Sequence, residues 1–579
     1  MCSRLKQLSA AFCGLFILVM LDARATEGVA PTPPMGWNDW AHYQCNFTAE
    51  TIVDNAKALV KSGLAARGYD TVTIDDCWMT KDRDAQGNLQ VDPHRFPQGM
   101  RAVADAVHAQ GLKFGIYEDA GFMTCGKFAG SGIPDGGGKD HFLADARLFA
   151  SWGVDYLKLD GCNLFVPKSQ TMNQAYEAAY KAERDALRQV DRPIVFSESA
   201  PAYFQGKPQW YDVLRWVRGY GQLWREGDDI GNYDAKDPNH PRFDSVLWNY
   251  SYHLPIGRFQ RPNNWNDADF IIGGDAGLSV AETRSQLALW SMMASPLILS
   301  SDVASLSPES LKILGNKDVI AVDQDALGRQ ANLLRRGAGI DVLIKPLSSS
   351  GTYAVAVFNH GDTLAAVDLR PADLGFYGTP CDMQARDLWT GEAASGSAQL
   401  NARVAPHDTA IWKITPGAKC GTATRQGAIT RIIPDGPDAT HNPGEYTRCL
   451  STAGTADKCA GTSSESWQVL PDGRLRSGNQ CISVSGSQIQ MSSCGTTAPE
   501  YWHYDLLGRL INRATHQCLT AADGPAANSP AADSPAADGP AADGPAADRR
   551  LSVATCKHNP ASQIWSLPEP MASVARERR

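Results

Sequence analysis

The chain has 579 residues, which is too many for one hydrophobic core, so its length predicts two to four domains. Hydrophobic residues make up 43% of the chain and charged residues 20%, an ordinary composition for a globular protein. The net charge of −9 and the sequence pI of about 5.8 argue against nucleic acid or an anionic membrane as the main partner.

The first 25 residues have the features of a secretory signal. Arg4 and Lys6 precede an apolar stretch at residues 8–21, and Ala-Arg-Ala at residues 23–25 fits a signal-peptidase site. The apolar stretch is short for a membrane span. We therefore expect a secreted or periplasmic protein that has no membrane association after the signal is cleaved.

Cysteine usage agrees with export. Of the 14 cysteines, Cys2 and Cys13 leave with the signal, and the twelve that remain allow up to six disulfides. A zinc site is the competing interpretation, but the chain has no CxxC pair and few histidines near its cysteines. We therefore expect disulfides, no metal and no cofactor.

Residues 30–325 alternate short apolar runs with stretches of helical spacing such as residues 171–189. This alternation predicts a parallel α/β sheet, and in a closed (β/α)8 barrel the active site lies just past the carboxyl ends of the strands. A single acid at a strand end is often a helix cap or a turn residue, whereas four such ends together favour carboxylate chemistry on a polar ligand. The runs lie at 69–74, 112–117, 155–159 and 193–197, and they stop at Asp75, Glu118, Asp160 and Glu198.

The pattern changes after the barrel. Runs at 341–345 and 352–358 have the composition of β-strands and are separated by Gly-rich turns. They predict a small antiparallel β-sandwich over residues 330–416. Residues 417–444 are rich in Gly, Pro and Thr, and this composition is typical of a linker.

Residues 445–568 contain three similar units and resemble a ricin-type β-trefoil. The third unit is longer because of a low-complexity insert at residues 521–550, in which a five-residue repeat occurs five times. Such a tract has almost nothing to bury, and we expect it to be disordered. Whether the trefoil binds sugar is left open. The expected disulfides are Cys449–Cys459, Cys481–Cys494 and Cys518–Cys556, and the closing residues, expected in the core, are Trp467, Trp502 and Trp565.

Asp160 is the candidate nucleophile on the basis of its position alone. It ends an apolar run, and Lys158 lies two residues earlier, on the same side of an extended strand. A nearby cation favours an ionised carboxylate. An ionised carboxylate that binds no metal can attack a sugar carbon in a pocket of suitable size.

Five motifs resemble glycoside hydrolase family 27, the retaining α-galactosidases, and they follow the family order over residues 30–415. The resemblance implies a TIM barrel followed by a β-sandwich. It also implies hydrolysis of terminal α-D-galactosyl residues from oligosaccharides or polysaccharides by double displacement. The motifs lie at residues 35–40, 74–78, 154–163, 264–269 and 321–328.

The resemblance also implies roles for single residues. Asp160 is the implied nucleophile and Asp229 the implied acid/base. Asp229 is chosen over Asp228 because an arginine stands four residues before it and an isoleucine follows it. Cys381 and Cys420 are left without an assigned pairing. The implied substrate-binding residues are Trp40, Asp75, Asp76, Tyr117, Lys158, Glu198, Arg225 and Asp269, and the implied disulfides are Cys45–Cys77 and Cys125–Cys162.

Two positions depart from the family pattern. Many relatives have Cys-Glu-Trp where this chain has Ser197-Glu198-Ser199. We expect Glu198 to accept a hydrogen bond from the sugar 2-hydroxyl, which argues against an N-acetylgalactosaminidase because that enzyme needs small groups there. Asp228 stands where relatives often have a small or apolar residue.

Two alternatives are kept beside the α-galactosidase. A β-L-arabinopyranosidase of the same family would act on a sugar that lacks the hydroxymethyl group of galactose, and the Asp75-Asp76 pair, suited to a 6-hydroxyl, favours galactose. A lectin-like protein with an inactive barrel is the other alternative, and the presence of both candidate catalytic acids argues against it.

Overall fold

The structure is a computed structural model that describes most of residues 28–571. The expected signal, residues 1–25, lies outside the described residues. In the part of the chain that is described, no helix is long and apolar enough to cross a membrane. Within residues 28–571 the positions that are not described are 135–136, 208, 232–241, 276, 398, 423–424, 433–446, 522–549 and 559–560.

Eight short strands form a parallel sheet in the order β7-β6-β5-β4-β3-β2-β1-β8, and the expected (β/α)8 barrel is confirmed. A parallel bridge between Ile271, just beyond β7, and Leu299 of β8 joins the two ends of this order, so the sheet closes. Every residue of β2 is buried, because a strand in such a sheet is covered on both faces. The strands are β1 Met35–Asn38, β2 Thr71–Ile74, β3 Lys113–Asp119, β4 Tyr156–Asp160, β5 Val195–Glu198, β6 Leu223–Arg225, β7 Trp265–Asp267 and β8 Leu297–Leu299.

Two of the longer helices begin at capping side chains. The Thr171 hydroxyl accepts a hydrogen bond from the Gln174 N–H, and the Ser279 hydroxyl accepts one from the Glu282 N–H. The helices are α1 Trp40–Tyr43, α2 Ala49–Ser62, α3 Met100–His108, α4 Phe142–Trp152, α5 Met172–Leu187, α6 Trp210–Val217, α7 Arg242–His253, α8 Val280–Met293, α9 Pro308–Leu314 and α10 Lys317–Asp323.

Contacts within the chain define two compact units. The first carries β1 to β5, and the second carries β7, β8 and everything that follows the barrel. The first unit consists of the described residues up to Ala200 with Val217–Trp224 and Pro262–Asn264, and the second consists of the remaining described residues.

The predicted antiparallel domain is present. Its larger sheet has the strand order β15-β14-β17-β11-β10-β9, and β12 pairs with β16. Cys381 and Cys420, whose pairing the sequence left open, are bonded to each other. The strands are β9 Asn332–Gly337, β10 Ile340–Pro346, β11 Tyr353–Asn359, β12 Ala365–Leu369, β13 Phe376–Tyr377, β14 Met383–Asp387, β15 Ala393–Ser397, β16 Leu400–Val404, β17 Thr409–Pro416 and β18 Gly421–Thr422.

The prediction of a linker over residues 417–444 is wrong for the portion that the structure describes. Strand β18 pairs with β13, and Gln426–Ala428 pairs with Ser466–Val469 of the trefoil. Ile429 is fully buried in the trefoil core. These strands are only two or three residues long, and their partners lie far along the chain. Their own composition is that of a loop, so the local sequence does not indicate strands.

The three units of the trefoil repeat in structure as well as in sequence. Each closing tryptophan is buried, and its indole N–H donates to the carbonyl of the residue that follows the first cysteine of its unit. The three expected disulfides are formed. The strands are β19 Gln426–Ala428, β20 Thr430–Ile432, β21 Thr447–Leu450, β22 Ala456–Lys458, β23 Ser466–Val469, β24 Leu475–Ser477, β25 Gln480–Ser485, β26 Gln488–Ser493, β27 Trp502–Tyr504, β28 Leu510–Asn512, β29 Cys518–Thr520 and β30 Ser552–Ala554.

A buried ion pair lies within the second unit, where the sandwich meets the barrel and the trefoil. Arg336 of β9 and Asp341 of β10 have side chains that are 1% and 0% exposed, and their atoms approach to 2.5 Å. The Tyr250 hydroxyl of α7 donates to Asp341 at 2.8 Å, and Arg336 donates to the Thr447 hydroxyl of β21 at 2.6 Å. The Arg336–Asp341 pair of the sandwich therefore contacts both α7 of the barrel and β21 of the trefoil.

Deleting the repeat tract, residues 523–547, is expected to leave catalysis and melting temperature unchanged. The tract lies outside the described residues, but the strands on either side of it, β29 and β30, pair directly with each other. Shortening the connection should change the free energy of loop closure by about 1 kcal/mol at most. Thermal melts of the deletion variant and the full chain check this, and a fall of several degrees would show that the tract is docked structure.

Candidate active site

Asp160 lies at the carboxyl end of β4, where the sequence predicts it. It accepts a hydrogen bond from the Tyr117 hydroxyl at 3.1 Å and one from the Gly161 N–H at 2.9 Å. The Cys125 sulfur lies 3.5 Å from the same carboxylate oxygen that receives the Tyr117 bond. Asp160 is thus held from two sides at the end of its strand.

The ammonium group of Lys158 contacts Asp75, although both Lys158 and Asp160 belong to β4. Its Nζ lies 2.7 Å from Asp75 Oδ2, and the Asn38 amide donates to the same oxygen at 2.7 Å. The two side chains of the ion pair are 9% and 2% exposed, so water screens their attraction little. This contact fixes the position of Asp75 more directly than it affects Asp160.

Asp76 is held by backbone donors on both of its oxygens. The Cys77 N–H donates to Oδ1 at 2.6 Å, and the Gly126 N–H donates to Oδ2 at 2.7 Å. Burial raises the pKa of Asp76 to about 6, even though these bonds act in the opposite direction. Asp75 and Asp76 together present a fixed row of acceptor oxygens after β2.

The two aromatic residues that the resemblance implies also lie in the first unit. Trp40, the first residue of α1, is half-buried, and its backbone N–H donates to the Asn38 side chain at 2.8 Å. Tyr117 is buried, and the Lys158 ammonium lies 5.3 Å from the centre of its ring. Asn38 therefore connects the Trp40 backbone to the carboxylate of Asp75, a role that the sequence analysis missed although Asn38 stands inside one of its motifs.

Two disulfides adjoin these carboxylates, and both pairings implied by the resemblance are confirmed. Cys45 is bonded to Cys77, and Cys125 is bonded to Cys162. Among the described residues, Asp119 and the Cys125 and Cys162 sulfurs lie close enough together to bind a metal. Because these two sulfurs are bonded to each other, neither is the thiolate that a metal site needs.

Reducing the Cys45–Cys77 and Cys125–Cys162 disulfides is expected to inactivate the protein. Cys77 follows Asp76 directly and Cys162 lies two residues after Asp160, so either loss should loosen a carboxylate. The loss of a native disulfide also typically costs about 2–5 kcal/mol of stability. Activity measured against thiol labelling checks this, with the Cys381→Ser/Cys420→Ser variant as a control that should stay active. Free thiols at these four positions in active protein would contradict it.

In the second unit, Arg225 joins two carboxylates at the end of β6. Its guanidinium donates to Asp229 at 2.8 Å and lies 2.9 Å from Asp269. Burial alone would lower the pKa of Arg225, but Asp269, Asp229 and Asp267 together raise it. The Asp269 side chain is 1% exposed and that of Asp229 is 48% exposed. The Arg225 guanidinium therefore bridges the exposed carboxylate of Asp229 and the buried carboxylate of Asp269.

Asp228, which departs from the family pattern, has a structural role in this loop. Its side chain accepts a hydrogen bond from the Asp229 N–H at 3.0 Å, and its carbonyl accepts one from the Asn249 amide at 2.7 Å. The next N–H along the chain, that of Ile230, donates to Asp269 at 2.6 Å. These bonds set the backbone on both sides of Asp229.

The side chain of Glu198 projects away from the sheet face that carries Lys158. In the pairing of β4 with β5, Ser197 lies opposite Lys158, and Glu198 lies opposite Leu159. Successive side chains of a strand point to opposite faces, so Glu198 shares the face of Leu159. Its carboxylate is fully buried and accepts a hydrogen bond from the Gly221 N–H at 2.7 Å. That Glu198 accepts from the sugar 2-hydroxyl stays a prediction, and the structure places its carboxylate against the Gly221 N–H.

Ser199 lies on the opposite sheet face from Glu198. Its N–H donates to the Leu159 carbonyl at 3.0 Å, which extends the pairing of the two strands by one residue. Ser199 lies two residues after Ser197 and is buried, so its side chain falls on the face of Lys158. Glu198 and Ser199 lie on different faces because successive side chains of a strand point to opposite sides.

Comparison with known proteins agrees with this geometry. Residues 32–325 match the family model described as α-galactosidase A, and residues 337–414 match the α-galactosidase C-terminal β-sandwich domain. The chain belongs to glycoside hydrolase family 27, the α-galactosidase A family. Residues 441–539 match the ricin-type β-trefoil lectin domain.

Three relatives illustrate the range of this family. The α-galactosidase A of Aspergillus niger is 36% identical over 502 residues, which cover 85% of this chain and 88% of the relative. The α-N-acetylgalactosaminidase of Gallus gallus is 37% identical over 427 residues, which cover 70% of this chain and 99% of the relative. The crystal structure of α-galactosidase I from Mortierella vinacea has a TM-score of 0.59 at 30% identity and covers 67% of this chain and 98% of that one.

Proposed function

We propose that this protein is a retaining α-galactosidase that removes terminal α-D-galactosyl residues from oligosaccharides or polysaccharides. The observation that carries the proposal is the carboxylate arrangement of the first unit. Asp75 and Asp76 are fixed by Lys158 and backbone N–H groups, and Asp160 is held by Tyr117. Family membership supplies the reaction class, and these contacts supply a polar site made for hydroxyl groups.

In the first half-reaction, Asp160 attacks the anomeric carbon and Asp229 donates its proton to the departing glycosidic oxygen. The bond from the anomeric carbon to the aglycone breaks as the bond to Asp160 Oδ forms. In the second half-reaction, Asp229 takes a proton from water, the water oxygen attacks the anomeric carbon, and Asp160 leaves. Two inversions leave the product with the configuration of the substrate.

The remaining residues hold the sugar. Asp75 and Asp76 accept from the 4- and 6-hydroxyls, and Trp40 provides an aromatic wall for the apolar side of the ring. In the second unit, Arg225 and Asp269 set the position of Asp229. None of these steps calls on a metal or a cofactor.

Export fits the covalent structure. The described residues contain six disulfides, and disulfides form in oxidising compartments. Together with the signal features of residues 1–25, they support a secreted or periplasmic enzyme that meets galactosylated glycans outside the cytosol.

One observation favours a second substrate, an α-N-acetylgalactosaminide. Glu198 is turned away, and the small residue Ser199 occupies the face next to Asp160 in the strand pairing. A small side chain leaves room for a 2-acetamido group, where a glutamate would fill the space and bind a 2-hydroxyl. The relative from Gallus gallus shows that the family contains a protein named for this activity.

The test is kcat/KM on three aryl glycosides: the α-D-galactopyranoside, the β-L-arabinopyranoside and the α-N-acetylgalactosaminide. We expect the α-galactoside to be the best of the three. A higher value on either of the others would reassign the substrate to that sugar. No turnover on any of them would favour the lectin-like alternative.

Ser199→Glu is expected to lower kcat/KM on the α-N-acetylgalactosaminide by about tenfold more than on the α-galactoside, because a larger acidic side chain excludes the acetamido group. Ser199→Ala is the matched control and should leave the ratio of the two rates within about twofold. The paired rates of both variants check this. An equal loss on the two substrates would show that Ser199 does not line the 2-position.

A further inference from the structure

Asp119, the last residue of β3, is a carboxylate next to the nucleophile that the mechanism does not use. It is fully buried and lies directly opposite Asp160 in the pairing of β3 with β4. Its Oδ1 accepts a hydrogen bond from the Gly121 N–H at 2.7 Å, and its Oδ2 accepts one from the Cys162 N–H at 3.1 Å. Asp119 is therefore held beside Asp160 by backbone donors on both of its oxygens.

Tyr117 is placed between the two carboxylates. Its hydroxyl oxygen lies 3.1 Å from Asp160 Oδ2 and 3.3 Å from Asp119 Oδ2. A tyrosine hydroxyl carries one proton, so it can donate to only one of two ionised carboxylates. A proton on Asp119 removes this conflict, because Asp119 then donates to the Tyr117 oxygen and the Tyr117 proton is left for Asp160.

Taking the proposed function as the basis, we propose that Asp119 is a positioning residue for the nucleophile. It holds a proton between its Oδ2 and the Tyr117 oxygen, and this proton directs the single Tyr117 proton to Asp160. The chain of donors runs from Asp119 to Tyr117 to Asp160, and every oxygen in it has a defined role.

Burial and charge favour the protonated form. Burial raises the pKa of Asp119 well above its usual value, and the negative charge of Asp160 raises it further. The N–H groups of Gly121 and Cys162 act in the opposite direction. A second negative charge next to Asp160 would also oppose ionisation of the nucleophile. The titratable groups around Asp119 are Tyr117 and Glu118 on its own strand, Asp160 on β4, Asp76 after β2, and Tyr176 and Tyr180 on α5, and the Lys158 ammonium lies over the Tyr117 ring.

The donor chain predicts how the nucleophile responds when Asp119 is changed. If Asp119 is neutral, its removal weakens the donation to Asp160, and the acidic limb of the kcat/KM profile moves to higher pH. If Asp119 is ionised, its removal takes away a negative neighbour, and the limb moves to lower pH. The direction in which the acidic limb moves therefore shows whether Asp119 is a protonated donor or an ionised carboxylate.

The experiment uses the full-length protein and four variants: Asp119→Asn, Asp119→Ala, Tyr117→Phe, and Tyr117→Phe with Asp119→Ala. We expect Asp119→Ala to lower kcat by about a hundredfold and to move the acidic limb to higher pH. Asp119→Asn keeps an N–H donor for Tyr117, so we expect it to stay within about tenfold of wild type with the acidic limb in place.

The double variant tests whether the effect passes through Tyr117. In the Tyr117→Phe background, Asp119→Ala should cost no more than about threefold, because the acceptor of the Asp119 proton is already gone. An undiminished cost in that background would overturn the proposal, since it would mean that Asp119 only anchors the loops at Gly121 and Cys162. An acidic limb that moves to lower pH in either Asp119 variant would also overturn it.

Infrared difference spectra add a readout that does not depend on turnover. In the spectrum of wild type minus Asp119→Asn at neutral pH, the carbonyl band of the Asp119 carboxyl group should appear, while the bands of other protonated carboxyl groups cancel. The absence of that band would overturn the proposal. Failure of the proposed function looks different, because wild type would then turn over none of the three aryl glycosides while the band could still be observed.

Discussion

Replacing Asp160 with alanine is expected to lower kcat on an aryl α-galactoside by about a thousandfold or more, or ~4 kcal/mol of transition-state stabilisation. The variant keeps the sugar-holding residues but has no carboxylate to attack the anomeric carbon. Because Asp160 lies at a strand end and is only half-buried, we expect the fold to survive. Steady-state rates together with thermal melts measure both effects.

Azide should restore part of the activity of Asp160→Ala. The small anion enters the space left by the carboxylate and attacks the anomeric carbon, while Asp229 protonates the leaving group. The product is then a glycosyl azide of inverted configuration. Asp70→Ala is a matched control at the start of β2, where Asp70 makes an exposed ion pair with Lys113. A rate above about a tenth of wild type in Asp160→Ala would contradict the nucleophile assignment.

Replacing Arg336 with methionine is expected to destabilise the protein by about 3–5 kcal/mol, because Asp341 is left as a buried charge without its partner. In the wild type, burial alone would raise the pKa of Asp341, but Arg336 holds it well below its usual value. Arg336→Met also removes the bond from this pair to Thr447 of the trefoil. Denaturant unfolding of the variant and the wild type measures the loss.

The pH dependence of this loss has a defined sign. In the wild type, the depressed pKa of Asp341 contributes stability that is lost only as pH falls below the unfolded value. In Arg336→Met, Asp341 keeps its contacts with Tyr250 and His360 but has lost the guanidinium, so it binds a proton more readily and the variant loses stability as pH rises. The destabilisation should therefore be smaller at about pH 5 than at about pH 7. Arg336→Met with Asp341→Leu should be more stable than the single variant, and equal stability of the two would contradict a charge penalty.

The sequence predicted those parts of the fold that a local pattern determines. The runs that end at Asp75 and Asp160 became β2 and β4, because apolar runs of that length between helical stretches form buried parallel strands. The trefoil was predictable because cysteine and tryptophan recur in each unit. The strands within residues 421–432 were not, since their stability comes from partners such as Ser466–Val469 that lie far along the chain.

For the candidate site, the sequence predicted which residues lie at the strand ends but not which face each side chain occupies. The motifs located Asp160 and the Asp75-Asp76 pair, and the structure shows contacts for each of them. Which face a residue occupies depends on strand register, and this is why Ser199, not Glu198, lies on the face of Lys158. The contact of Asp119 with Tyr117 could not be predicted from the sequence, because it depends on side-chain positions that no local pattern determines.

The most direct test of the central claim is the configuration of the first sugar released. Proton NMR during rapid hydrolysis of an aryl α-D-galactopyranoside, recorded before mutarotation, distinguishes the two anomers of galactose. Double displacement through Asp160 predicts that α-galactose appears first and that the β-anomer grows in later. If β-galactose appears first, the reaction is a single displacement, and the assignment of Asp160 as a covalent nucleophile is contradicted.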